Sequence, residues 1–406
     1  MKRLLTRARQ FTNLARTHGV RSAVTKSVHH VAMKTTEAVA PKIDPIGHYG
    51  FILGEPTGIG LKITPDNVPQ GSMSWLIPDF NASSGGHINI FRMMTHLRAQ
   101  GFPNQHVVVM EPHRWGSAEE AKAALDQWFP DNGLTISLDV KSIEPSQFVV
   151  ATSWETAYWV AKYRDAMHKL YFVQDFEPMF YSEGSESAFA ENTYKLGLTG
   201  ITAGTWLAEK LASDYGMKTF GYQFGVDKEF YVQTEKRPSA HRNIFFYARP
   251  VTPRRCFEVG LLALQKVCEK NPDAAVIFAG WDVSNYEIPF HHLNAGTISL
   301  GELPDLYSQC DAALILSSTN LSLLPLEVAS CGCPIVMNKG ANTEWLMSDD
   351  ELWYADMDPD SIAEAIDTCL NNKPEAEKRA TKARERALNQ SWEHEAGRVA
   401  EFLGSL

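Results

Sequence analysis

Long apolar runs are missing from this sequence of 406 residues. No stretch approaches the roughly 20 apolar residues that a membrane-spanning helix needs, and no such run follows the basic start as it would in a signal peptide. We therefore expect a cytoplasmic protein. A disulfide framework is also disfavoured, because the six cysteines all lie in the second half, mostly inside apolar periodic segments. Cys331 and Cys333 have the wrong spacing for a redox CxxC pair and lack the second pair that a zinc site needs.

Positive charge is concentrated in the first 40 residues. Residues 1–40 contain eight Lys or Arg and one acid, Glu37, whereas the whole chain carries −10, so the remainder carries −17 once +7 is subtracted. Because this remainder has no sustained basic stripe, we predict no nucleic-acid binding. Apolar residues recur at helical spacing in the basic segment: Leu4, Ala8, Phe11 and Ala15. This pattern predicts either a peripheral helix on the anionic inner face of a membrane or a helix that packs on its own domain with a solvated basic face.

Two series of alternating apolar runs and helical periodicities organise the chain. The first begins at Ser72, and the second follows a charged linker over 234–242 that contains Pro238. A chain of this length also favours two domains. We predict an α/β protein with two Rossmann-like, doubly wound domains, which bind ligands at the carboxyl ends of their strands. The expected parts are a helical N-terminal extension over 1–70, a first domain over 71–235, a second domain over 236–390, and a C-terminal helix over 391–406 that crosses back to the first domain.

The segment over 317–336 is the most informative part of the second domain. A strand ends, a loop of small residues follows, and a helix begins near Pro325 with Glu327 in its first turn. Backbone N–H groups at a helix start can hold an anion such as a diphosphate, and a glutamate can accept hydrogen bonds from a pair of sugar hydroxyls. The alternative is an ordinary βαβ crossover with a surface glutamate.

This segment resembles the donor-site signature of GT-B glycosyltransferases of family 4, in which a glutamate precedes a helix that ends in Gly-x-Pro, here Gly332 and Pro334. The resemblance implies that Glu327 holds the ribose of a nucleotide. It also implies that the backbone of three residues approaches the diphosphate: Ser322, Leu323 and Leu324. The family usually has another glutamate eight positions earlier, where this chain has Thr319.

Three further segments resemble the donor site of the same family. Arg249 and Arg254 match its arginine and the basic residue five positions on, which implies that they neutralise the diphosphate; the alternative is that they pair with surface carboxylates. The loop from Gly301 to Leu303 is similar to the one that receives the nucleotide base through main-chain groups. The first domain resembles the family at the glycine-rich loop beneath the donor: Gly85, Gly86 and His87.

Two carboxylates, Asp175 and Glu177, follow a predicted strand of the first domain. Many family 4 members have a histidine there. The sequence Gln-Asp-Phe-Glu-Pro instead resembles rhamnosyltransferases that assemble rhamnose-rich surface glycans from dTDP-L-rhamnose. A carboxylate at this place can deprotonate an acceptor hydroxyl or stabilise oxocarbenium-like charge. The alternative is a helix-capping aspartate and a surface glutamate.

These resemblances imply a metal-independent glycosyltransferase that needs no cofactor and moves L-rhamnose from dTDP-L-rhamnose to a glycan or lipid-linked glycan acceptor. The loop around Thr319 is unusually apolar and suits a 6-deoxy sugar, because burial of its methyl group gains about 0.8 kcal/mol. A hexose would bring a hydroxyl without an obvious partner. The alternatives are transfer from a UDP- or GDP-hexose, a sugar-nucleotide epimerase of the same fold, and a glycan-binding protein without activity.

Overall fold

The computed structural model describes residues 44–81 and 84–406, so the predicted basic helix within 1–40 lies outside the described residues. The chain divides after Gly54 into two compact units. The described part of the first unit contains helix α1 (Pro45–Leu53), whose start is capped by the Asp44 carboxylate accepting from the Gly47 N–H. None of the helices in the described ranges has the length and apolar content that crossing a bilayer requires.

The second unit contains two parallel sheets. The described part of the first sheet has seven strands in the order β3-β2-β1-β4-β5-β6-β7. Continuous burial along strands such as β1 reflects helices on both faces, as in other parallel sheets. The strands are β1 (Ser72–Pro78), β2 (Asn104–Met110), β3 (Thr135–Ser137), β4 (Ser146–Ala151), β5 (Ala166–Val173), β6 (Thr199–Ala203) and β7 (Thr219–Tyr222).

Five helices connect the strands of the first sheet within the described residues. Two of them begin with serine caps, because the hydroxyls of Ser117 and Ser153 accept from backbone N–H groups three residues on. A short 3-10 turn, Glu177–Phe180, lies between β5 and the next helix. The helices are α2 (Gly85–Ala99), α3 (Ala118–Trp128), α4 (Trp154–Lys162), α5 (Ser185–Thr193) and α6 (Thr205–Tyr215).

The second sheet has six described strands in the order β10-β9-β8-β11-β12-β13, again all parallel. Its strands are β8 (Arg242–Tyr247), β9 (Ala274–Ala279), β10 (His292–Gly296), β11 (Ala312–Ile315), β12 (Ile335–Asn338) and β13 (Trp353–Ala355). The helices that accompany it are α7 (Phe257–Lys270), α8 (Leu303–Ser308), α9 (Leu324–Ser330), α10 (Ala341–Glu344) and α11 (Pro359–Asn371).

The chain ends in two helices, α12 (Lys373–Asn389) and α13 (Trp392–Gly404). Gln390 is extended and separates them, and Ser391 caps α13 by accepting from the His394 N–H. Helix α13 packs against the first sheet: Phe402 stacks on Phe220 of β7, with ring centroids 4.8 Å apart. The chain thus forms the first sheet, then the second sheet, and its last helix returns to pack on the first sheet.

Candidate active site between the two sheets

The carboxyl ends of the two sheets meet at Asp175, two residues beyond β5. Its side chain is buried, with 8% of the residue exposed. Oδ1 accepts hydrogen bonds from the N–H groups of Phe176 and Asn320, both at 2.8 Å. Oδ2 accepts from the Thr319 hydroxyl at 3.0 Å and from Nε of Arg254 at 3.3 Å. One carboxylate of the first domain therefore joins two donor-site candidates of the second.

The two candidate phosphate-binding arginines follow strand β8 but are held differently. The Arg254 guanidinium lies 4.2 Å from the centroid of the Phe180 ring, which belongs to the first domain. The Arg249 guanidinium stays within the second domain, where Nη1 donates to the Gly280 carbonyl at 3.4 Å. It also lies 5.9 Å from the centroid of the Trp281 ring. Neither arginine is a simple surface partner of a surface acid, which was the alternative interpretation.

A third arginine, which the sequence did not single out, supports the loop over 317–320. Nη1 of Arg255 donates to the Ser317 hydroxyl at 2.7 Å and to the Asn320 carbonyl at 3.3 Å. Burial lowers the pKa of the guanidinium. The Ser317 hydroxyl in turn donates to the Asn320 carbonyl at 2.9 Å. Arg255 is therefore a part of the loop's framework.

Asn320 also connects the two domains, and sequence reasoning missed it. Its residue is fully buried. Nδ2 donates to the carbonyls of Gln174 at 3.0 Å and Ala203 at 2.7 Å, which lie at the ends of β5 and β6. Its Oδ1 accepts from Nε1 of Trp345 at 3.0 Å. A single asparagine in a loop carries no periodicity or spacing, so only the contact between sheets reveals it.

Glu327 lies in the first turn of α9, as the sequence predicts, and is partly exposed. Burial raises the pKa of its carboxyl to about 7, against the opposing effect of a hydrogen bond with Tyr231. Two of the three predicted backbone contacts, Ser322 and Leu323, are half-buried residues just before the helix, and Leu324 is buried at its start. The glutamate therefore sits beside the predicted diphosphate segment, with a carboxyl whose pKa is raised toward neutral pH.

Glu177 is placed apart from this cluster, inside the first domain. Its carboxylate accepts from the N–H of Trp154, the first residue of α4, at 2.8 Å and from the Tyr171 hydroxyl at 2.5 Å. Burial raises the pKa of this carboxyl to about 8. The alternative of a surface glutamate is wrong, because only 6% of the residue is exposed. The burial of Glu177 is explained by the start of α4, whose Trp154 N–H needs a hydrogen-bond acceptor.

The remaining candidates lie at the starts of two helices. Gly85, Gly86 and His87 form the first turn of α2, whereas the sequence predicts a loop there. Gln174 connects this helix start to the end of β5, because its Nε2 donates to the Gly86 carbonyl at 3.2 Å, next to exposed Gly85. Nδ1 of His87 accepts from the Asn81 N–H at 3.4 Å, and burial lowers the pKa of the imidazole to about 4, so the ring is neutral. Gly301 is exposed in a 3-10 turn and Leu303 begins α8. Among the described contacts, no hydrogen bond or ion pair joins these last two to the Asp175 cluster.

Two parallel sheets whose carboxyl ends meet in this way define the GT-B fold of glycosyltransferases, and solved structures confirm that prediction. HepE of Anabaena, in complex with UDP, is similar with a TM-score of 0.64 and 15% identity over 82% of this chain and 100% of that one. Sucrose-phosphate synthase of Thermosynechococcus elongatus is similar with a TM-score of 0.61 and 11% identity over 82% and 98% of the two chains.

Sequence comparison finds one family model and one curated relative. The family "WsaF, C-terminal domain" matches residues 242–367, which include the second sheet. The O-antigen biosynthesis protein RfbC of Myxococcus xanthus is 31% identical over 339 residues, or 81% of this chain. The chain spans 27% of the length of that relative. Membership of family 4 and use of rhamnose stay predictions.

Proposed function

We propose that this chain is a glycosyltransferase of surface-glycan assembly, which moves a sugar from a nucleotide sugar to a glycan or lipid-linked glycan acceptor. The observation that carries the proposal is the position of Arg249 and Arg254 after β8, at the edge where the two sheets meet. Cleavage of a glycosyl–phosphate bond develops negative charge on the leaving diphosphate, and guanidinium groups bind phosphate oxygens in pairs. The similarity to RfbC supports a role in polysaccharide synthesis.

The donor occupies the second domain in this proposal. Glu327 accepts hydrogen bonds from the ribose hydroxyls, and the backbone of Ser322, Leu323 and Leu324 approaches the diphosphate. The base lies by the turn of Gly301 and Leu303 that leads into α8, while Gly85, Gly86 and His87 at the start of α2 lie beneath the donor from the first domain. The arginines supply the positive charge that the leaving group needs, so we propose a reaction without a metal or a cofactor.

The contacts of the two carboxylates favour electrostatic stabilisation over proton transfer. Each oxygen of Asp175 already accepts two hydrogen bonds, so taking a proton from an acceptor hydroxyl would displace one of them. Burial raises the pKa of the Glu177 carboxyl to about 8, and its two oxygens already accept from the Trp154 N–H and the Tyr171 hydroxyl. The Asp175 carboxylate contacts Arg254 and Thr319 directly, so we propose that it acts electrostatically through these neighbours.

For the donor we propose dTDP-L-rhamnose. The Thr319 hydroxyl donates to Asp175 and the residue is fully buried, so it offers little polar grip to a hexose. Leu321 and Leu324 are buried beside it, and half-buried Leu323 provides an apolar wall for the methyl group of a 6-deoxy sugar. That methyl group gains about 0.8 kcal/mol on burial.

Competition between donors tests this proposal. The protein is incubated with dTDP-rhamnose, UDP-glucose and GDP-mannose side by side, and release of each nucleoside diphosphate is measured. We expect release from dTDP-rhamnose to be fastest; preference for either hexose donor contradicts the rhamnose assignment. An isomerised sugar nucleotide in the donor-only reaction identifies an epimerase, and complete failure to hydrolyse or transfer any donor identifies a binding protein.

We also propose that residues 1–40 contact the anionic inner face of a membrane, where a lipid-linked acceptor is found. Their net charge of +7 favours such a surface by electrostatic attraction. Cosedimentation with vesicles of anionic phospholipid should fall in a variant lacking these residues and at high salt. A second variant, in which Arg7, Arg9 and Arg16 are replaced by glutamine, should also bind these vesicles less, because it removes positive charge and keeps the chain length. Unchanged vesicle binding in both variants contradicts the proposal.

A further inference from the structure

We propose that Asp175 and Phe180 are positioning residues that orient the Arg254 guanidinium from the opposite domain, so that the phosphate-binding site is completed only when the two domains meet. The inference rests on the proposed function, because it assigns a phosphate to Arg254. The inference gives the two arginines different roles. The Arg249 guanidinium is oriented by contacts within its own domain, whereas the Arg254 guanidinium is oriented by the opposite domain.

The backbone and the side chain of Arg254 are fixed by different domains. Its carbonyl accepts from the Ser318 N–H at 2.9 Å and from the Ser318 hydroxyl at 3.3 Å, both within the second domain. The described contacts of its guanidinium are with the first domain: Nε donates to Asp175 at 3.3 Å, and the Phe180 ring lies 4.2 Å away. An arginine side chain has many rotamers, and these contacts select one of them.

The geometry leaves the phosphate-binding part of the side chain available. A guanidinium has five N–H donors, and Asp175 takes the one on Nε, so the terminal nitrogens keep the paired geometry that suits a phosphate. Asp175 is itself held rigidly by Phe176, Asn320 and Thr319, which makes it a fixed reference point. The Phe180 ring, whose centroid lies 4.2 Å from the guanidinium carbon, packs against the group as a second contact from the first domain.

Arg249 provides the internal comparison. Its guanidinium contacts the Gly280 carbonyl and the Trp281 ring, which both belong to its own domain. Donor binding to the second domain alone can therefore use Arg249, whereas Arg254 adds its charge after closure. We expect Arg249 to act on donor affinity and turnover, and Arg254 with its two positioning residues to act mainly on turnover.

A double-mutant cycle with the full-length protein tests the inference. Phe180→Leu removes the aromatic face, and because Phe180 is 38% exposed the change should be tolerated by the fold. We expect kcat for donor turnover to fall about 3- to 30-fold, the range of a cation–π contact, with KM for the nucleotide sugar within about twofold of the wild type. In the Arg254→Ala background the same change should have almost no further effect.

A control variant and two contradicting outcomes complete this experiment. Tyr286→Leu replaces another exposed aromatic residue, and we expect kcat and KM to stay as in the wild type. If Phe180→Leu lowers kcat by the same factor with and without Arg254, the positioning role is wrong. If the wild type neither binds a nucleoside diphosphate in calorimetry nor turns over a donor, the proposed function itself fails, and this inference fails with it.

Asp175→Asn supplies a second measurement. The amide keeps hydrogen-bonding groups but removes the charge that orients Arg254. A positioning role predicts a lower kcat with an unchanged shape of the pH–rate profile. Loss of the acidic limb of that profile in the variant would instead identify Asp175 as a general base and overturn the inference.

Discussion

The carboxyl ends of the two sheets differ in charge and in the way their side chains are held. The second sheet brings Arg249 and Arg254 to its edge, and the first brings Asp175. The groups of the second domain lie close together in sequence, within strand–loop–helix units that resemble a known signature. The contacts of Asp175 are made mostly with residues some 80 to 145 positions away. Chemistry that is local in sequence can be recognised by eye, whereas chemistry built by tertiary contact cannot.

The largest effect on donor turnover is expected for Arg249→Ala, which tests the charge at the carboxyl end of the second sheet. Removal of a preorganised charged donor to the diphosphate should raise the transition-state free energy by about 2–4 kcal/mol. The measurement is kcat/KM for donor turnover, with Arg237→Ala as the control, because Arg237 pairs with Asp305 at an exposed surface. Turnover that is equal in Arg249→Ala and wild type would show that the second domain does not bind phosphate there.

A smaller effect is expected for Glu327, the other ligand-binding candidate of the second domain. Glu327→Ala should weaken nucleoside diphosphate binding by about 1–3 kcal/mol, since ribose hydroxyls lose a charged acceptor. Because the carboxyl has its pKa raised to about 7, its ionised form grows between pH 6 and pH 8. Affinity should therefore rise over that window in the wild type more than in Glu327→Gln. Calorimetry at both pH values checks this; parallel pH dependence would contradict the ribose assignment.

The smallest effect on turnover is expected for Glu177. This prediction tests whether the side chain contributes to the stability of the first domain and not to catalysis. The folded protein holds the proton more tightly than the unfolded chain, because burial raises the pKa from 4.5 to about 8. This contribution to stability is full below about pH 4.5 and is lost as the pH rises through 8.

Replacement of Glu177 by glutamine removes the titration and keeps an acceptor oxygen for the Trp154 N–H. Relative to the wild type, the Tm of Glu177→Gln should therefore rise between pH 5 and pH 9, by about 2–4 °C for each kcal/mol recovered. Turnover at pH 7 should change little. A large loss of turnover with an unchanged Tm would return Glu177 to a catalytic role.

The sequence predicts the parallel-sheet fold well because its inner strands are continuous apolar runs. Strands β3, β7, β10 and β13 escape prediction because they are the outermost strands of the two sheets and are not continuous runs of buried aliphatic residues. The first turn of α9 and its Glu327 are predicted from a helix-start pattern. Burial of Glu177 and the contacts of Asn320 cannot be predicted in this way, since they depend on which strand ends are neighbours in space.

Asn320 has a consequence for the speed of product exit. When the domains separate, its amide must exchange the carbonyls of Gln174 and Ala203 for water, whereas its bond with the Trp345 indole lies within the second domain and can stay. These bonds break before water reaches the fully buried side chain, so the transient state leaves polar groups unpaired. The activation free energy for domain separation is then higher than the free-energy difference between the open and closed states. We therefore expect departure of the spent nucleotide to be the slow step of the cycle, and an Asn320→Ala enzyme to release it faster.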